Sequence, residues 1–219
     1  MKTNPHLIVS GILFTLVLFL WPVFMAVYQP QGSIENQFSW IQDHLTAYKV
    51  QFFFAFLLSP SFIYLMVSQL VQYPMKNRMA LLSGGLFLAA YLVLNSISYA
   101  SQMTVLPKLL ESGMTEQARL WYFNSSLSAT YFLNQMGYCF WGIGALILFS
   151  RFVREHGMIR YISLIYAISA VLSLIAFTGL VIDNTLVNSM TLYSGLLLAP
   201  VGIMNIIWGI KIRQTTSTY

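Results

Sequence analysis

A chain of 219 residues with 58% hydrophobic and only 8% charged side chains, at a mean hydropathy of +0.70, cannot cover a water-soluble domain, which carries about 25% charge; lipid must be its solvent. The formal charge of +5 is not gathered into a basic cluster interleaved with exposed polar residues, which argues against nucleic acid as a partner. One cysteine, Cys139, excludes an internal disulfide or a cysteine-based metal site, and within its apolar run it reads as a small core residue.

Crossing the hydrocarbon core takes about 20 apolar residues as a helix. Six stretches qualify: 7–28, 50–71, 79–106, 127–150, 161–182 and 190–210. Their runs are continuous, whereas membrane barrels alternate over about 10 residues. The fold class is therefore all-α: a polytopic six-helix transmembrane bundle forming a single integral membrane domain. The first stretch is longer than the roughly 7–15 residues of a signal-peptide core. Val27-Tyr28-Gln29-Pro30 also offers no small-x-small cleavage site, so it reads as a retained span.

Between the first two spans, Ile34, Phe38, Ile41, Leu45 and Tyr48 recur at helical spacing, with Glu35, Gln42, Asp43 and Lys49 off that stripe. The pattern predicts a short amphipathic helix on the outer surface that runs into span two, with Ser39 and Gln42 as a capping box. Pro60, between Ser59 and Ser61, should kink span two. Pro107 should end span three; Ser112 and Gly113 make a turn, and Thr115-Glu116 starts a new helix. From there to Ser150 is too long for one crossing, so span four should project outward or bend. The pentads 10–14 and 83–87 (SGILF and SGGLF) hint at a duplicated hairpin. Small residues line up as Gly195, Ala199 and Gly202, as Gly137 and Gly144, and as Ser169 and Ser173, a pattern of close helix packing.

Orientation follows from lysine and arginine. With the N-terminus inside, the inner segments hold eight basic residues (Lys2, Lys76, Arg78, Arg151, Arg154, Arg160, Lys211, Arg213) and one acid, Glu155. The outer segments hold three basic residues (Lys49, Lys108, Arg119) and five acids (Glu35, Asp43, Glu111, Glu116, Asp183). Both termini are expected in the cytoplasm, in a cell membrane of bacterial inner-membrane style.

No Asp, Glu, Lys, Arg or His falls inside a span as drawn. Ion-coupled pumps and proton relays usually need such groups at depth. His6, His44 and His156 sit at ends or loops, and Asp43 and His44 diverge by about 100° on a helix. No cofactor or metal is expected.

What remains is uncharged. Span three carries Tyr91, Asn95, Ser98, Tyr99 and Gln102 on one face, and span four carries Tyr131, Asn134, Gln135 and Tyr138. Amides in hydrocarbon are costly unless paired, so these groups should face each other or water in the outer half. Asn95, Tyr99, Gln102, Tyr131, Asn134, Gln135 and Tyr138 are the candidate ligand-binding residues, for a small neutral solute entering an outward pocket. The alternative is interhelical hydrogen bonding alone, in a non-catalytic accessory or partner subunit. A lipid-acting enzyme is the third reading, and no acid–base or nucleophile pair supports it.

The charge asymmetry makes one direct prediction. A cysteine introduced beside Arg154 should resist a membrane-impermeant maleimide applied to intact cells and react after permeabilisation; labelling from outside would invert the topology.

Overall fold

A computed structural model describes residues 4–73 and 77–211. Lys2, Lys76 and Arg213, counted above on the cytoplasmic side, lie outside the described residues. Six segments are long and apolar enough to cross a membrane, and among the described residues all regular structure is helical. The chain is a multi-pass membrane protein built as an all-α bundle.

The helices are α1 (Pro5–Tyr28), α2 (Ile34–Asp43), α3 (Leu45–Gln72), α4 (Arg78–Glu111), α5 (Thr115–Trp121), α6 (Ala129–Phe149), α7 (Met158–Val181), α8 (Thr185–Asn188), α9 (Met190–Leu197) and α10 (Ala199–Lys211), with a 3-10 turn over Ser150–Arg154. Local chemistry sets the starts. Asn4, Ser33, Asn77, Ser128 and Asn184 each accept backbone N–H groups of the first turn that follows them, satisfying donors that a helix leaves orphaned. Gly113, at φ +70°, supplies the left-handed residue that turns α4 into α5.

Three hairpins result, and each carries a short helix at the same end: α1-α2-α3, α4-α5-α6 and α7-α8-α9/α10. We call this the cap end, and the end bearing residues 4 and 211 the terminal end. Consecutive long helices pack side by side, α1 on α3, α3 on α4, α4 on α6 and α6 on α7, and the last segment returns to α1. The bundle is a closed ring of six. Glycines let three of its seams come close: a Cβ on Gly11 would sit 2.6 Å from the Gly202 carbonyl, one on Gly144 3.0 Å from the Gly84 carbonyl, and one on Gly142 2.9 Å from the Ala170 carbonyl.

The middle of the ring is filled with aromatic rings. Phe62 of α3 stacks on Phe14 of α1 at 5.1 Å between centroids and meets Trp141 of α6 at 5.5 Å. It also packs edge-on against Tyr166 of α7 at 5.8 Å and Tyr91 of α4 at 6.4 Å. One side chain thus touches four other helices, at separations where aromatic pairs add stability beyond their buried area.

Several of these expectations change. Ser39 does not cap: the first-loop helix begins earlier, Ser33 is its cap, and Ser39 lies inside α2, where the helical backbone rules out a cap. The amphipathic helix of the first loop is present as expected, its apolar stripe turned onto the bundle, burying Phe38, Ile41 and Tyr48, with Phe38 edge-on to Tyr122 at 5.3 Å. Pro107 does not end its helix, which runs on to Glu111. Proline removes one backbone bond, and burial of Leu106 and Leu110 against α2 offsets that loss, while Gln42 Nε2 donates to the Leu110 carbonyl at 3.1 Å. The long fourth segment neither projects nor bends: it breaks over residues 122–128 into α5 and α6.

The sixth span is also broken, at Leu198. Its N–H turns to Gly195 O at 3.1 Å, and Val201 N–H turns to Leu198 O at 3.0 Å, both three-residue bonds, because Pro200 has no N–H to continue the four-residue ladder. The two halves then follow different neighbours: α9 lies on α7 and α10 on α1. Ser194 ties α9 to Ser169 (2.8 Å) and Ser173 (2.7 Å). The break also takes Gly195 off the face of Gly202; nothing lies within 4 Å of where its Cβ would be.

Truncation of the central ring tests the ring architecture. Phe62→Ala should cost about 3–5 kcal/mol, as large-to-small core changes do. Val67→Ala, at an exposed site, should cost under about 1 kcal/mol. Reversible unfolding in mixed micelles would measure both.

Candidate functional site

Six of the seven candidate residues fall into three groups toward the cap end rather than one face-to-face cluster, and the seventh, Asn95, stands apart. The first centres on Gln102 of α4, fully buried. Its Oε1 accepts from the Tyr48 hydroxyl of α3 at 2.8 Å and from the Phe123 N–H at 3.1 Å, and its Nε2 donates to the Trp121 carbonyl at 2.6 Å. Trp121 ends α5 and Phe123 lies in the break before α6, where the backbone has left its helix. Gln102 stands in for the missing helical partners, and Thr130 adds a hydroxyl to the same Trp121 carbonyl at 3.0 Å. Ser98 ties α4 to α6 directly, its hydroxyl donating to Thr130 O at 2.7 Å.

The second group joins α4 to α6 higher in the seam. Asn134 Nδ2 donates to the Tyr99 hydroxyl at 2.8 Å, and that oxygen lies 3.4 Å from the Tyr138 hydroxyl. Tyr99 and Asn134 are buried; Tyr138 keeps partial exposure.

The third group turns away from α4. The Tyr131 hydroxyl accepts from Asn188 Nδ2 of α8 at 2.5 Å, and Gln135 Oε1 accepts from the Thr191 hydroxyl of α9 at 2.6 Å. Helical phase thus gives α6 two polar edges: Asn134 serves the one facing α4, and Tyr131 and Gln135 serve the one facing the last span.

Asn95 belongs to none of these groups. It is 0% exposed, and neither Nδ2 nor Oδ1 has a hydrogen-bond partner. The Tyr91 hydroxyl, one turn back on α4, interacts with it. Gly137 makes room for the side chain, since a Cβ there would collide with Asn95 Oδ1.

A second polar layer lies at the terminal end. Asn205 of α10 donates through Nδ2 to the Leu7 carbonyl (2.9 Å) and the Ser10 hydroxyl (3.0 Å) of α1. Its Oδ1 accepts from Gln69 Nε2 of α3 at 3.1 Å, and Gln69 Oε1 accepts from the Tyr166 hydroxyl of α7 at 2.9 Å. Ser10 and Ser68 meet at 2.9 Å. Sequence pattern does not single these residues out: Asn205 is the lone amide of its span, and Gln51 and Gln69 sit at opposite ends of theirs, so no stripe forms. The burial cost that flags spans three and four applies to each of them separately.

Outside the spans, the Arg119 guanidinium of α5 pairs with Glu35 of α2. Backbone and Ser33 hydrogen bonds at the start of α2, aided by Arg119, hold the Glu35 carboxyl below its ordinary range. Tyr122, whose hydroxyl donates to Gln37 Oε1, is pushed up to about 12 by burial. A cleft of about 110 Å³ between α2 and α4 is lined by Ile41, Gln42, Leu45, Pro107, Leu110 and Glu111. It lies apart from the candidate residues and is below the roughly 300 Å³ of ligand pockets. Among the described residues no three His, Cys, Asp or Glu gather as a metal site, and every buried polar side chain is uncharged.

The hydrogen bonding ranks the residues. Gln102→Leu strips the Tyr48 hydroxyl and the Phe123 N–H of their acceptor, at about 1–3 kcal/mol for each buried group left unpaired. Thr191→Val removes one interhelical bond, worth about 0.6 kcal/mol. Unfolding midpoints in the same micelles should fall in that order, and equal losses would refute the assignment of Gln102 as the tie across the break.

Neither a protein-family model nor any curated protein or solved structure matches the chain.

Proposed function

We propose that this chain is a non-catalytic component of a cell membrane, of the bacterial inner-membrane kind, acting as an accessory or partner subunit. Its cap end faces outward and both chain ends lie on the cytoplasmic side. The observation that carries the reading is the use made of the amides. Gln102, Asn134 and Gln135 direct their hydrogen bonds to other helices and to broken backbone, which is what packing requires and what a solute-lined pocket does not. The aromatic filling around Phe62 supports it further, because it occupies the place a solute path through the ring would need. The orientation rests on the eight-to-three basic asymmetry and the positive-inside rule.

The reading has a functional test. Purified protein in lipid vesicles should pass urea and glycerol no faster than protein-free vesicles in a stopped-flow shrinkage assay. Cross-linking in its native membrane should return one discrete heteromeric band. A flux several-fold above background would replace the subunit reading with that of a solute channel or carrier.

A further inference from the structure

We propose that a groove along the membrane face of α6 holds one anionic phospholipid of the leaflet at the terminal end. Arg154 and Arg160 take its phosphate, and its acyl chains lie between α4 and α7. The inference goes beyond the subunit reading and does not depend on it.

The groove follows from the two glycine seams of α6. Gly144 lets the helix close on α4 and Gly142 lets it close on α7, where a Cβ would meet the Gly84 and Ala170 carbonyls at 3.0 and 2.9 Å. Drawn in on both sides, α6 lies back from the surface. Cys139, Ile143 and Ile147 recur every four residues on the side away from buried Trp141, yet all three are half-buried. The outward residues of the neighbouring helices stand clear. On α4, Met79 and Leu86 are 74% and 72% exposed, beyond Phe87, which meets Phe140 of α6 at 5.7 Å. On α7, Val171 is 46% exposed. Two ridges thus flank an apolar floor.

Three exposed arginines stand where this floor ends. Arg151 follows Ile147 by one turn, and Arg154 closes the same 3-10 turn. Arg160 lies in the first turn of α7, eleven residues before Val171 and therefore on the same face. The Arg151 guanidinium lies 4.4 Å over the Phe152 ring. Arg154 and Arg160 pair with no carboxylate among the described residues. The turn that carries them is fixed in place, because Phe152 is buried and edge-on to Tyr73 at 5.9 Å and to Phe149 at 6.0 Å. Tyr161, 59% exposed, stands beside Arg160 at the depth where aromatic rings meet headgroups.

The ligand class follows from residue type and place. Membrane orientation asks only for positive charge, which lysine supplies equally. Residues 150–160 nonetheless hold three of the six arginines in the chain and no lysine. A guanidinium presents a planar fork that matches phosphate oxygens, and an ammonium does not. The arginines open onto an apolar groove, so the anion they suit is one carried on hydrocarbon tails. Its headgroup has net negative charge, because three arginines face a single acid, Glu155, in this turn, and a zwitterionic headgroup would bring a cation of its own.

The test is native mass spectrometry of the full chain in mild detergent, titrated with phosphatidylglycerol, phosphatidylethanolamine or phosphatidylcholine of the same acyl chains. Wild type should keep one phosphatidylglycerol at concentrations where neither zwitterionic lipid is retained. The double variant Arg154→Lys, Arg160→Lys keeps the net charge and should lose retention several-fold. Ile143→Trp raises the groove floor and should lose it without altering a charge; if it does not fold, the lysine pair still decides. Arg78→Lys should bind as wild type, since Arg78 lies at the same end but nine residues before Phe87, half a turn round α4 from the groove. Equal retention of the three lipids by wild type would overturn the proposal, as would undiminished retention by the double lysine variant. An equal loss in Arg78→Lys would reveal a diffuse field in place of a site and overturn it too. Release of the lipid by millimolar inorganic phosphate would make the arginines a free-anion site and reject the lipid. A benzophenone attached to Cys139 and photolysed in the native membrane should tag lipid; a tagged polypeptide would give the groove to a partner subunit and overturn the assignment.

Discussion

Hydrocarbon offers a polar side chain nothing, so each amide placed in a span must find its partner inside the protein or be left with an unmet cost. That constraint arranges this bundle. Two layers of hydrogen bonds lie toward its two ends. One is built on Gln102, Tyr99 and Asn134; the other is built on Gln69 and Asn205. Between them is an aromatic stack around Phe62. The layers specify which helices are neighbours, and the stack fills the space that a ring of six would otherwise leave open. Specificity and packing are thus divided by depth: directional bonds at the ends, dispersion and burial in the middle.

The six spans were legible because lipid demands long apolar runs and the chain supplies them without ambiguity. The facing of Asn134 toward Tyr99 was legible too, since helical phase and depth follow from spacing. Less visible was anything decided by competition between a local rule and a distant contact. Pro107 obeys its usual preference in isolation, but Leu106 and Leu110 bury against α2 and hold the helix together. Ser39 has the chemistry of a cap, yet Ser33 stands first beside a glycine that turns the chain. The Asn205 layer escapes pattern reading because its members come from four separate helices, each contributing one or two groups. Asn95 carries the same signal as its neighbours on the stripe, and only the three-dimensional fold distinguishes it from the hydrogen-bonded Gln102.

The sixth span is fastened differently in its two halves. Its cap-end half is fastened to α7 through three serines, and its terminal-end half to α1 through close approach of Gly11 and Gly202. α1, correspondingly, has all its fully buried residues between Leu7 and Val17. One helix-breaking proline therefore lets a single span serve two neighbours, and it divides the seam that closes the ring into halves governed by different chemistry: hydroxyl pairs in one, backbone contact in the other.

The Asn205 bonds have a consequence for biosynthesis. The amide that donates to the Leu7 carbonyl lies 198 residues further along the chain, which at about 5–20 residues per second of translation is a wait of roughly 10–40 s. Gln69 is made early in that interval, and its partners Tyr166 and Asn205 follow 97 and 136 residues later. The early hairpin has its own glue, with Phe14 on Phe62 at 5.1 Å and Phe24 on Phe54 at 5.0 Å, but its amide stays unmet until the later helices arrive. The bonds that close the ring at the terminal end can therefore form only after almost the whole chain has been made.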